Sequence, residues 1–147
     1  MPPPTISLPT LDRWTEQECR LAIAQRCTGD DTATTLVGHC EGCGIWRPLN
    51  AAHRIRRSQG GLWHPANVLG LCGSGTTGCH GRAHHDPVGA AGWGWELTGR
   101  AEPTDEAAWI RRPWDPTRAG WHLLRVEHDA DGIRRHVVIP VEARWVA

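Results

Sequence analysis

The stretch that decides the reading runs from Cys40-Glu41-Gly42-Cys43 to Leu71-Cys72-Gly73-Ser74-Gly75-Thr76-Thr77-Gly78-Cys79-His80-Gly81-Arg82-Ala83-His84. Cys40-x2-Cys43 has knuckle spacing, and Cys72-x6-Cys79 forms a looser second half. Glycines border both halves and suit the tight turns that aim two thiolates at one ion. A structural zinc takes four tetrahedral ligands, at about 2.3 Å when they are sulfur. Four cysteines close that shell, so the expected zinc holds the fold and does not itself activate water. The competing readings are four unligated cysteines or two disulfides.

Working outward, Leu49 to Ile55 reads as a strand carrying His53, with Gly60-Gly61 as its break. Val68 to Leu71 reads as a second short strand running into Cys72, with Asn67 just before it. Cys79 to about His85 reads as a helix that Asp86-Pro87 ends. Upstream, Thr34 to Val37 reads as a short strand into the first cysteine pair. Thr15 and Glu18 fit a capping box, with Trp14 and Cys19 at staple positions, so a helix is expected over Glu16–Cys27, ending near Gly29. Cys19 and Cys27 lie in that helix as small core residues. Residues 1–11 read as a Pro-rich flexible leader. Residues 89–118 are rich in Gly, Pro and Trp. Beyond them, Trp121–Glu127 and Ile133–Ile139 flank an Asp131-Gly132 turn and predict a hairpin.

The chain has 147 residues, enough for one domain with a small core that metal helps to hold. It offers no apolar run of about 18 residues, so no membrane span is expected. The first ten residues hold four prolines and no basic residue, which does not resemble an export signal. A cytoplasmic location follows, where clustered cysteines read as metal ligands before disulfides. All sixteen basic residues are arginine; Lys, Phe and Tyr are absent, and Trp occurs nine times. GC-rich coding explains that bias better than function does. Net charge is zero, yet Cys40–His85 holds five arginines against the lone Glu41. The positive charge is concentrated where a phosphate backbone would need it.

These residues together resemble the HNH endonuclease family. Ala52-His53-Arg54-Ile55-Arg56-Arg57-Ser58-Gln59-Gly60-Gly61 is similar to its first motif, Asn67-Val68-Leu69-Gly70-Leu71-Cys72 to its middle motif, and Cys79-His80-Gly81-Arg82-Ala83-His84 to its third. The resemblance is most specific to small HNH proteins of actinobacterial phages, and it covers residues 40–87. It implies an α+β fold: a ββα-metal core over 31–88 stapled by the four-cysteine zinc site. An N-terminal helix over 12–30 and a Trp-rich extension with a C-terminal β-hairpin over 89–147 complete the expected organisation.

The resemblance also implies roles. His53 matches the general base that deprotonates water, and Asn67 matches the residue that orients the imidazole or tethers the loop. His80 and His84, at i and i+4, would face one catalytic divalent cation, Mg²⁺, Mn²⁺ or Ni²⁺. Arg54, Arg56, Arg57 and Arg82 would grip phosphates of double-stranded DNA without reading sequence. The implied setting is a bacterial host cell, beside phage terminase or packaging proteins. In the family the residue before the base is an Asp, His or Glu that ligates the metal; here it is Ala52. The neighbours able to substitute are Asn50, His64, His85 and Asp86. The histidines outside the motifs, His39, His64, His85, His122, His128 and His136, read by themselves as surface residues. Two rival functions remain open: a zinc-stabilised DNA-binding or packaging-accessory protein without cleavage, favoured by Ala52, and a restriction-like nuclease for modified DNA with the Trp-rich tail as reader.

Overall fold

Thr15 starts the first helix with a reciprocal cap: its hydroxyl accepts the Glu18 N–H at 3.0 Å, and the Glu18 carboxylate accepts the Thr15 N–H at 2.9 Å. The computed structural model describes residues 13–115 and 118–143. The leader expected over 1–11 lies outside them. Helix α1 spans Glu16–Thr28 and ends at Gly29, whose φ of 70° is the left-handed cap that glycine adopts without strain.

Strands β1 (Val37–His39), β2 (Trp46–His53) and β3 (Val68–Cys72) form an antiparallel sheet in the order β1-β2-β3. β1 begins three residues later than the Thr34–Val37 expectation, and β2 ends at His53 rather than Ile55. The register pairs Ala52 with Leu69 and His53 with Val68. Helix α2 (Gly78–His85) follows β3 and packs on it. The chain from β2 to α2 therefore runs strand, loop, strand, helix. Pro87 cannot continue α2, so a new short helix, α3 (Pro87–Gly92), starts there with Asp86 accepting the Gly89 N–H.

α1 lies across this sheet because β3 carries Gly70 beneath it. A Cβ at Gly70 would sit 2.7 Å from Cys27 Sγ and 3.0 Å from an Ile23 methyl, so only glycine allows this approach. Cys19 and Cys27 are fully buried there, in the small-core role expected of them.

The expected C-terminal hairpin is two strands of a three-stranded sheet. β4 (Ala108–Arg112), β5 (Arg118–His128) and β6 (Arg134–Val141) form a second antiparallel sheet in the order β4-β5-β6. β4 is hidden in sequence by its Trp- and Arg-rich composition. His122, expected at the surface, is buried in this sheet and its Nδ1 lies 2.9 Å from the Gly120 carbonyl oxygen.

The expected boundary at residue 88 is not a packing boundary. One hydrophobic cluster joins Cys19, Leu69 and Cys72 to Trp95, Ile110 and Leu124. Arg134 of β6 closes the other side, reaching Glu18 at 2.7 Å and lying 3.8 Å over the Trp14 ring. No helix among the described residues is long and apolar enough to cross a membrane.

Candidate functional site

The two cysteine pairs meet. The sulfur atoms of Cys40, Cys43, Cys72 and Cys79 lie within 4.8 Å of one another, and Cys43 and Cys72 are 3.9 Å apart. Four sulfurs at tetrahedral positions around one ion are about 3.8 Å apart. The residues present therefore fit a metal ion. Backbone N–H groups of Gly42 and Cys72 donate to Cys40 Sγ at 3.3 and 3.2 Å. The hydrogen bond shared with Cys79, helped by these amides, pulls the Cys40 thiol down to about 5. The same shared bond, with burial, pushes the Cys79 thiol well up. Four thiolates so close repel one another unless a cation lies among them. Gly42 is needed here: a Cβ would meet both Cys79 Sγ and the Trp95 ring at 2.9 Å.

A buried ion pair backs the knuckle. Arg26 of α1 and Glu41 are each 1% exposed at the side chain and meet through two bonds, Nε–Oε2 at 2.9 Å and Nη2–Oε1 at 2.7 Å. Arg26 also donates to the Pro65 and Val68 carbonyls, and Glu41 accepts the Gly70 N–H at 2.8 Å.

Residues of β2, β3 and α2 line a cleft of 280 Å³ that brings together His53, His80 and His84. His80 and His84, one helical turn apart on α2, turn their rings to each other with Nε2 atoms 3.1 Å apart. Two nitrogens bound to one ion at about 2.1 Å lie about 3.0 to 3.4 Å apart. Burial, then the His84 charge, lowers the His80 pKa. His53, at the end of β2, stands edge-on to Trp63 at 4.4 Å. Burial, then the positive charge of Arg57, brings its pKa down to about 4. His53 is therefore a neutral imidazole at physiological pH, able to accept a proton.

Asn67 holds the loop between β2 and β3. Its Oδ1 accepts the Ile55 N–H at 2.8 Å, and its Nδ2 donates to the Ile55 and Leu62 carbonyls at 3.1 Å. Both ends of the amide are thus spent on backbone, and Asn67 fixes the chain that follows His53.

The four arginines divide. Arg54 is fully buried and cannot grip phosphate. Its guanidinium binds the carbonyls of Gly94, Ala66, Pro103 and Glu106 at 2.5 to 3.0 Å. It is the tie between β2 and the extension, which sequence spacing could not distinguish from a solvated neighbour. Arg56 and Arg57 line the cleft, and Arg82 is exposed on α2.

Ala52 lines the cleft and carries only a methyl group, so it offers no ligand atom there. Three of the expected substitutes are engaged elsewhere. Asn50 Nδ2 donates to the Gly73 carbonyl, His64 Nδ1 accepts the Ala66 N–H, and Asp86 caps α3. The acid that does line the cleft is Glu96, paired with Arg56 at 2.8 Å. Sequence reading missed it because nothing local marks it. The backbone bond from Leu97 N–H to the Arg54 carbonyl, 2.8 Å, lays Glu96 beside the end of β2. The four cysteines are the group of metal-binding side chains already clustered among the described residues; Glu96 would have to leave Arg56 to join His80 and His84.

No protein-family model, curated protein or solved structure matches the chain.

Proposed function

We propose that the protein is a metal-dependent DNA endonuclease of the HNH type, with a structural zinc on the four cysteines. The observation that supports this reading is the meeting of His53, His80 and His84 in one cleft beside Arg56 and Arg57. A neutral imidazole next to two convergent imidazoles and two guanidiniums suits phosphodiester hydrolysis better than it suits a packing role.

In this reading His80 and His84 would hold a divalent cation. Such an ion supplies charge neutralisation at the scissile phosphate and at the departing oxygen. A ring nitrogen of His53 takes the proton of a water whose oxygen attacks phosphorus. The phosphorus–oxygen bond to the 3′ carbon's oxygen breaks, leaving 5′-phosphate and 3′-hydroxyl ends once that oxygen gains a proton from solvent. Asn67 keeps the loop after His53 fixed, and Trp63 holds the imidazole edge-on. Arg57 and Arg82 meet backbone phosphates, with Arg56 joining them when Glu96 releases it. Glu96, so released, would offer the oxygen ligand that Ala52 lacks. A setting beside phage packaging proteins belongs to the same proposal.

Supercoiled plasmid incubated with the protein and Mg²⁺, Mn²⁺ or Ni²⁺ tests the reading. Conversion to nicked or linear DNA, lost in His53→Ala, is the expected result. The second reading, a DNA-binding or packaging-accessory protein without cleavage, draws on Ala52 lining the cleft without a ligand atom. Plasmid binding without conversion at any metal would establish it instead.

A further inference from the structure

A second concave surface lies around the corner from the histidine cleft, and Trp95 lines both. This groove has a volume of 470 Å³ and is walled by Trp93, Trp95, Trp109 and Trp121, with Arg82 and Arg111 among its lining residues. Trp109 and Trp121 are direct cross-strand partners of β4 and β5. Trp93, 40% exposed, stands 4.8 Å from Trp95 at 62° between ring planes. Four indoles gathered from the α3 end and two strands are more aromatic surface than the small core beneath them requires. Trp95 alone is fully covered, donating its N–H to the Trp109 carbonyl at 2.8 Å.

The rim chooses the class of ligand. Aromatic cages commonly take cations through their ring faces. Here Arg111 already occupies the Trp109 face at 4.8 Å, and Arg82 adds a second positive charge. No carboxylate lines the groove among the described residues; Cys43 and Cys79 do line it, their thiolate charge shared with the cation of the four-cysteine site. The two guanidiniums disfavour a cation on the indole faces, whereas a flat π-system carrying negative charge gains from both the indoles and the guanidiniums. An unstacked nucleotide has that combination: every base offers a π-face, and the phosphate is held by arginine without sequence reading.

We propose that this groove binds a nucleotide of a single DNA strand, its base stacked on Trp93 or Trp121 and its phosphates on Arg82 and Arg111. The proposal deepens the nuclease reading and rests on it for the choice of DNA. It gives a strand whose phosphate enters the histidine cleft a stacking platform next door.

The test compares two fluorescent single strands of equal length, oligo(dT) and its abasic counterpart, by anisotropy without added divalent cation. The two carry the same phosphates and differ only in bases. Binding of oligo(dT) at least about fivefold tighter than the abasic strand is expected, the lower end of one stacked base. Trp93→Ala, at a half-exposed ring, should remove that preference while zinc content stays at the parent level. Arg111→Gln should weaken both strands alike. Equal affinity of the parent for the two strands overturns the proposal, and this arm needs no variant to fold. A parent that nicks plasmid but shows no base preference, or a Trp93→Ala protein that keeps the preference, overturns the groove alone; a parent with base preference but no nicking overturns the nuclease reading and leaves the groove standing.

Discussion

Arg26 and Glu41 form a two-bond ion pair sealed between α1 and the cysteine knuckle, with backbone groups of Pro65, Val68 and Gly70 bonded around it. Neither charge has water to fall back on. Removing one partner leaves the other buried and unpaired, which costs about 3 to 5 kcal/mol. Glu41→Gln should therefore lower the denaturant midpoint sharply without loss of any cysteine. Replacing both by apolar residues, Arg26→Met with Glu41→Leu, should be milder than Glu41→Gln alone. Urea unfolding of the three proteins at matched zinc content checks this ordering.

Metal removal should unfold the chain rather than merely silence it. The four cysteines join three separate segments, and the site has no meaning in the unfolded state, so binding energy is folding energy. Purified protein should carry about one zinc per chain, on the four-cysteine stoichiometry of a closed site. A strong chelator, or Cys72→Ser, should abolish the cooperative thermal transition. A chelated, zinc-free protein that melts as before would sink the assignment.

His53 sets an unusual pH profile. Its pKa of about 4, against 6.5 for free imidazole, keeps it deprotonated well below neutrality. Cleavage should persist to about pH 5, where an ordinary histidine base would already be protonated. His53→Ala should reduce turnover by about 10² or more. The linkage has a definite sign. Below about 6.5 the unfolded chain takes up the proton that the folded chain refuses until about 4, so stability falls as pH drops through that interval. At metal concentrations shown to saturate at each pH, so that protonation of His80 and His84 does not itself end cleavage, an acid limb near pH 6.5 would show that the imidazole is not the buried group described.

Ala52 and Glu96 make opposite predictions about metal demand. Ala52 lines the cleft with His80 and His84, so Ala52→Asp should bring a carboxylate to the cation and lower the concentration needed for half-maximal nicking. Glu96→Gln should raise it. Two imidazoles without an acid suit Mn²⁺, Ni²⁺ or Co²⁺ better than hard Mg²⁺. Metal titrations of nicking for the three proteins decide whether Glu96 serves as the oxygen ligand. An unchanged requirement in Glu96→Gln would return it to a surface ion pair with Arg56.

Arg54 and Arg57 are three residues apart and should behave as different kinds of residue. Arg57 is exposed at the cleft. Arg57→Gln should shallow the log–log salt dependence of DNA binding by about 0.9 for each phosphate the side chain no longer neutralises. Arg54→Ala strips partners from four carbonyls and should destabilise the fold by at least about 3 kcal/mol. Salt titrations of binding, set beside thermal melts, separate the two.

Local chemistry made several elements readable in sequence. The Thr15–Glu18 cap and Gly29 bound α1 because capping is a matter of three or four neighbouring residues. The Cys40 and Cys72 halves announced a metal cluster because ligand spacing and glycine turns are local too. The i, i+4 spacing of His80 and His84 places them on one helix face without any tertiary information. What sequence could not decide is what comes from far along the chain. Arg54 is indistinguishable from Arg56 and Arg57 until the carbonyls of Gly94, Pro103 and Glu106 close around it. Glu96 becomes a cleft residue only because the Leu97 backbone bonds to Arg54. The Trp109–Trp121 pairing needs β4 to be recognised as a strand and joined to β5. Sequence thus determined the cap, the knuckle and the histidine pair, each built from near neighbours. Tertiary packing alone decided which charges are buried and which acid shares the cleft, because desolvation depends on segments that no local pattern brings together.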